Sequence, residues 1–218
     1  MLVLIKNPLF FQIFAAAGAL SAVLGACIAG RVYRDRDGRR YSPLNHFISE
    51  LGEIGISRLA WVFNLGLILC GLCLLPACLS LGLILPGVWS RLGLAAGVIA
   101  TLSISAVGIF PMNRMTAHTR AANSYFRMGL VMVVFFTLAI LLQPSESQRL
   151  SRWLALAGLP AILAYASFLI YSRVGVDPSR NPLDPSEFIR PRFWALAAVE
   201  WSIFVTTIPW LLMIAAGL

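Results

Sequence analysis

Charge is what this sequence has least of. Charged residues make up 12% of its 218 residues, against roughly 25% in an ordinary soluble domain, and hydrophobic residues make up 59%. The mean hydropathy is +0.83. So few charges cannot coat a globular surface in water, whereas a surface facing hydrocarbon needs no polar coat. Lysine is nearly missing, since Lys6 is the only one beside 16 arginines. Cysteine is scarce and never in a loop: Cys27, Cys70, Cys73 and Cys78 all fall in apolar stretches, which excludes a secreted disulfide framework. Cys70 and Cys73 do spell CxxC. Their neighbours Leu69, Leu72 and Leu74 offer nothing to stabilise a thiolate, so buried inert thiols are the default and a redox pair the alternative. There are only two histidines, His46 and His118.

What remains is long apolar runs. A bilayer core about 30 Å thick takes roughly 20 apolar residues per helix. The chain supplies six such spans, near 9–30, 59–82, 87–110, 126–142, 152–171 and 193–216. The expectation is an all-α, six-helix transmembrane bundle forming one domain over residues 1–218. The first span has Lys6 before it and an arginine cluster after it, the reverse of a signal peptide, so it reads as a span.

The net charge of +8 would suggest nucleic acid in a soluble protein. Here the basic residues occupy short loops, where they set orientation and meet anionic headgroups. The first, third and fifth loops and their flanks carry Arg31, Arg34, Arg36, Arg39, Arg40, Arg58, Arg114, Arg120, Arg127, Arg173, Arg180, Arg190 and Arg192. The other side has Lys6, Arg91, Arg149 and Arg152. The positive-inside rule then places those three loops in the cytoplasm and both termini outside, in a plasma-membrane protein. Two stripes of small residues, Gly18-Ala22-Ala26-Gly30 and Gly93-Gly97-Thr101-Ser105, suit close helix packing, within the chain or in a homo-oligomer.

Polar groups are costly in hydrocarbon, so their positions carry information. The segment from Tyr41 to Glu53 mixes aromatic, aliphatic and polar residues, as in a short helix lying at the membrane surface. Asn45, His46, Ser49 and Glu50 lie in it. Asn113 and His118 lie in the segment from Pro111 to Asn123, expected as a loop on the same side. His46 or His118 as general base with Ser49 as nucleophile would give hydrolytic chemistry. His46, Glu50 and His118 together have the donor types for a divalent metal such as zinc or iron. The plain alternative is two imidazoles hydrogen-bonding at headgroup level. Glu200 is the one acid deep in a span, about seven residues in, or roughly 10 Å. Arg127 and Asn64 are its expected partners; facing a cavity, it would instead carry a proton.

The string His46 to Gly52 (HFISELG), then Phe63-Asn64-Leu65-Gly66, then Val107-Gly108-Ile109-Phe110-Pro111 with His118 following, resembles the DUF998 family of membrane proteins. More distantly it is similar to the Frag1/DRAM/Sfk1 group of six-span proteins. The resemblance implies a six-helix bundle with its signature residues, including Ser49, Glu50, Asn64 and His118, gathered at one membrane face. The distant group's link to lipid metabolism tilts the reading toward lipid. Three functions follow as expectations. The first is binding or modifying a lipid or amphipath at the cytoplasmic face, through His46, Ser49, Glu50 and His118, with Asn45, Asn64, Asn113, Arg127 and Glu200 lining the site. The second is a small proton-coupled transporter using Glu200. The third is a scaffold without chemistry. Membrane lipids are the expected partners under the first.

Overall fold

The computed structural model describes residues 2–174 and 190–218. The secondary structure is almost entirely helical, with no named strand among the described residues. A single turn, α1 (Leu2–Ile5), precedes α2 (Pro8–Val32). Then follow α3 (Ala60–Ile84), α4 (Val88–Ile109), α5 (Met115–Leu141), α6 (Gly158–Val174) and α7 (Ala195–Gly217). From α2 onward, all six are long and apolar enough to cross a bilayer once the 3-10 turn Arg152–Ala157 is joined to α6. The protein is a multi-pass membrane bundle.

Local chemistry explains the boundaries. Asn7 caps α2, its side chain accepting the Leu9 N–H at 2.9 Å, and Pro8 fills the first position, where no N–H is needed. Pro86 and Gly87, with φ of 88° at the glycine, turn the chain from α3 into α4. Pro76 sits inside α3 without ending it.

Five of the six expected spans agree with the helices to within three residues. The fourth does not. α5 begins at Met115, eleven residues before the expected start, so His118 stands on a helix and not in a loop. Residues 115–125 are too polar to read as a span, yet they contain no helix breaker after Pro111. At 27 residues α5 is about 40 Å long, so its first turns stand beyond a hydrocarbon core of about 30 Å.

Chain neighbours pack antiparallel, α2 on α3, α3 on α4, α4 on α5 and α6 on α7, and α7 closes back on α2. The small-residue stripes are used inside the bundle. Gly18 meets Leu74 of α3, Gly93 meets Phe136 of α5, and Gly97 meets Cys78 and Met132. The tightest backbone approaches join α3 and α4, where a Cβ on Gly71 would meet the Thr101 carbonyl oxygen and one on Gly108 the Asn64 carbonyl oxygen; beside the first stripe, a Cβ on Gly66 would stand 2.8 Å from the Ser21 carbonyl oxygen and 3.2 Å from the Gly25 Cα. The even number of spans brings both ends of the chain to one face, where Gln12 donates to the Ala215 carbonyl (2.9 Å). The segment 33–59 after α2, residues 110–114 after α4 and residues 190–194 before α7 share the opposite face, called here the arginine-rich face. Arg180 and the rest of 175–189 lie outside the described residues.

Candidate polar site at the arginine-rich face

Between α2 and α3 the chain folds into a cap. Residues 34–40 form a small hairpin with a bridge between Arg34 and Arg40. Its turn is closed by the Asp35 carboxylate, which accepts the N–H groups of Asp37 (3.0 Å) and Arg39 (2.7 Å), and by Gly38 at φ 78°. A 3-10 turn, Ile48–Gly52, follows. Its N-terminal N–H groups need acceptors, and two carboxylates supply them. Phe47 N–H donates to Glu50 Oε1 (2.8 Å), and Ile48 N–H donates to Glu200 Oε2 (2.8 Å).

Arg190 is the centre of this cap. Its guanidinium grips Glu50 in a fork, Nη1 to Oε1 at 3.1 Å and Nη2 to Oε2 at 2.8 Å. Its Nε lies 3.7 Å from Asp35 Oδ2, and Nη1 also donates to the Asn45 carbonyl (2.6 Å). Tyr33, at the end of α2, donates to Glu50 Oε2 (3.1 Å). The side chains of Asp35 and Glu50 are each 7% exposed and that of Arg190 is 13% exposed, so this is a nearly buried network of two acids on one arginine. Burial and the Glu50 charge push the Tyr33 hydroxyl far above its ordinary range, so it stays a donor.

His46 is enclosed by Tyr33 and Tyr41, with ring centroids at 5.4 and 5.2 Å. Its Nδ1 accepts the Ser42 N–H (3.2 Å), which assigns the ring proton to Nε2. That Nε2 lies 3.5 Å from Asp35 Oδ2, long for a hydrogen bond. Burial first, then the Arg190 charge, lowers its pKa below the usual histidine value, so the ring is neutral at pH 7. Tyr41 in turn donates to the Phe47 carbonyl (2.9 Å) and accepts the Trp201 indole N–H (2.8 Å).

The other expected site residues fall around this cap. Asn45 donates to the carbonyls of Pro191 (3.1 Å) and Arg192 (3.3 Å). Asn64 donates to the Gly52 carbonyl (3.0 Å), and its side chain occupies the space a Cβ on Gly52 would need. Asn113 pairs with both backbone groups of Ile54, accepting at 2.7 Å and donating at 2.9 Å. Both histidines lie at this face, but no contact joins them. His118 Nδ1 is 2.8 Å from the Phe110 carbonyl, which assigns the proton to Nδ1 and ties the start of α5 to the end of α4. Ser49 is partly exposed and hydrogen-bonded to neither imidazole.

Two expectations are corrected. Glu200 is partnered by the Ile48 backbone, not by Arg127 or Asn64: Arg127 points outward and is exposed, and Asn64 is engaged by Gly52. The proposed metal set of His46, Glu50 and His118 is not assembled, and no three His, Cys, Asp or Glu side chains converge at metal-ligand spacing among the described residues. Arg190 holds the position beside Glu50 that a cation would take. Sequence reading missed Asp35, Arg190, Tyr33, Tyr41 and Trp201. Arg190 stands 140 positions from Glu50, and no local spacing marks such a pair.

No curated protein and no solved structure matches this chain. The profile of a family described as "Protein of unknown function (DUF998)" matches residues 16–217, which include the capping loop, α3 to α7 and α2 from its third turn onward. The six-helix bundle and its polar cap are therefore those of a member of the DUF998 family.

Proposed function

We propose that this protein binds anionic lipid headgroups at its arginine-rich face, in the cytoplasmic leaflet of the plasma membrane. The observation that carries this reading is how the cap divides its charges. Asp35 and Glu50 point inward to Arg190, while Glu53 pairs with Arg36 (3.1 Å) and Asp37 with Arg39 (3.4 Å). Arg31, Arg34, Arg40 and Arg58 are left exposed on the same face, with no acidic partner among the described residues. Each arginine near an anionic leaflet contributes about 1 kcal/mol. A rigid cap presents such a group at lower entropic cost than a free loop.

Ser49, unbonded to either histidine, and His46, with both ring nitrogens turned inward, favour binding over covalent modification. The test is lipid retention by the purified chain in neutral detergent, where insertion orientation plays no part. Wild type is expected to retain phosphatidylglycerol over phosphatidylcholine. The triple variant Arg34→Gln/Arg40→Gln/Arg58→Gln is expected to lose that preference by about a hundredfold at low salt. Equal retention of both lipids by wild type would refute the reading.

A further inference from the structure

The hairpin over residues 34–40 carries an arrangement that cross-strand chemistry disfavours. Its bridge pairs Arg34 with Arg40, two like charges opposite one another. The Asp35 N–H donates to the Arg39 carbonyl (3.0 Å) just inside the bridge, which makes Arg34 and Arg40 a non-hydrogen-bonded pair. In such a pair the side chains come closest, with Cα atoms about 4.5 Å apart, and both leave the same face of the ribbon. Like charges so placed repel.

The neighbouring residues fix which face that is, because side chains alternate along a strand. Tyr33 and Tyr41 turn inward with ring centroids 5.2 Å apart, Tyr33 bonded to Glu50 and Tyr41 to Trp201. The Asp35 side chain also turns inward, toward His46 and Arg190. Arg34 and Arg40 point the other way, and both are exposed. The hairpin's own acids do not neutralise them. Asp35 is committed to the cap interior, and Asp37 is held by Arg39 (3.4 Å). Neither arginine has an acidic partner among the described residues. An anchored backbone thus holds two unneutralised guanidinium groups side by side.

We propose that Arg34 and Arg40 form a clamp for one terminal phosphate, the dianionic phosphomonoester of a lipid headgroup. This names the ligand class of the headgroup reading above and rests on that reading. Each guanidinium presents a planar fork of N–H donors that matches two phosphate oxygens. A phosphomonoester has three terminal oxygens and close to two negative charges, so it faces both forks and cancels both charges. A phosphodiester headgroup has two free oxygens and one charge, which a single fork satisfies, and the repulsion of the second arginine is left unrelieved. Arg31, on α2, and Arg58, before α3, lie outside the hairpin and act as single charges.

The test measures lipid retention by the purified full chain in neutral detergent. The two probes are phosphatidic acid and phosphatidylmethanol with the same acyl chains, which differ by one methyl group capping a phosphate oxygen. Phosphatidylglycerol and phosphatidylcholine are measured alongside. At about pH 8 and low salt, where the monoester is doubly charged, wild type is expected to retain phosphatidic acid about tenfold over phosphatidylmethanol. Arg34→Gln and Arg40→Gln should each remove most of that ratio, and the double variant little more, because the two forks act as a unit. Arg31→Gln/Arg58→Gln should weaken both lipids alike and leave the ratio unchanged. Equal retention of the two probes by wild type, or equal loss of the ratio in the Arg31/Arg58 variant, would overturn the clamp. If phosphatidylglycerol is still preferred over phosphatidylcholine, the clamp alone falls; if that preference is missing, the headgroup reading falls and takes the clamp with it. Excess inorganic phosphate separates the two sources of such a group. Phosphatidic acid retained against it supports a lipid ligand, and ready displacement would overturn the lipid assignment in favour of a soluble phosphomonoester. All four positions are exposed, and the wild-type ratio decides the matter even where a variant fails to fold.

Discussion

Arg190 is held by two carboxylates in surroundings where water cannot replace either of them. Removing one partner of a buried pair leaves the other charge uncompensated, at a cost of about 3 kcal/mol. Glu50→Gln should therefore lower stability by about that amount, and it also weakens the acceptor for Phe47 N–H and Tyr33 O–H. Ser49→Ala, one position away, should fall within about 0.5 kcal/mol of wild type. Thermal melting of both variants in one detergent checks this, and equal losses would contradict it. His46 predicts a pH effect. Its folded pKa lies below the unfolded value of 6.5, so as pH falls below about 6.5 the unfolded chain gains a proton that the folded ring refuses. Stability should drop from pH 7 toward pH 5, and His46→Gln, which keeps an acceptor for Ser42 N–H, should flatten that slope. An unchanged slope would remove His46 from the explanation. His46, Glu50 and Glu200 were legible as unusual in the sequence because they are rare polar groups beside or within oily runs. Their partners were not, since Glu200 is satisfied by a backbone N–H, which no side-chain pattern encodes.

Among the helices, α3 approaches both α4 and α2 closely, and glycine permits it. A Cβ on Gly66 meets backbone, the Ser21 carbonyl at 2.8 Å, which cannot yield as a side-chain tip does. Gly66→Ala should cost about 1–3 kcal/mol by overpacking. Gly30→Ala, whose Cβ would find Leu51 at 3.9 Å and Tyr41 at 4.0 Å, should be near neutral. Melting of the two proteins side by side tests the assignment, and similar behaviour would refute it. The first stripe was read from four-residue spacing, yet Gly25, which is not on it, is the residue that meets Gly66. Spacing marks a face that can be approached but not which partner reaches it, because rotation of the second helix decides that. Hydropathy set the helix ends well wherever an apolar run stopped at a turn. It failed at α5, where the helix outlasts its hydrophobicity.

At the scale of the whole molecule, the segments after α2 and α4 and the residues just before α7 gather arginines at one face, and the chain ends lie at the other. The positive-inside rule predicts that the arginine-rich face is cytoplasmic. A single cysteine placed at Gly38, in a background with the four native cysteines replaced, should be labelled by an impermeant thiol reagent only in inverted vesicles. One placed at Glu146 should be labelled only in intact cells. The reverse pattern would invert the topology. The six-helix architecture was readable because oily runs of this length have few other ways to fold. The cap was not, because it depends on the loop after α2 meeting the segment before α7, a contact set by bundle closure. The central claim is that the cap turns its acids inward and so leaves an arginine rim for anionic lipid. Its most direct test is lipid selectivity of the wild-type chain in nanodiscs of equimolar phosphatidylglycerol and phosphatidylcholine, read by native mass spectrometry at low and high salt. The account predicts a strong phosphatidylglycerol preference that shrinks as salt screens the rim; equal occupancy by the two lipids at low salt would contradict it.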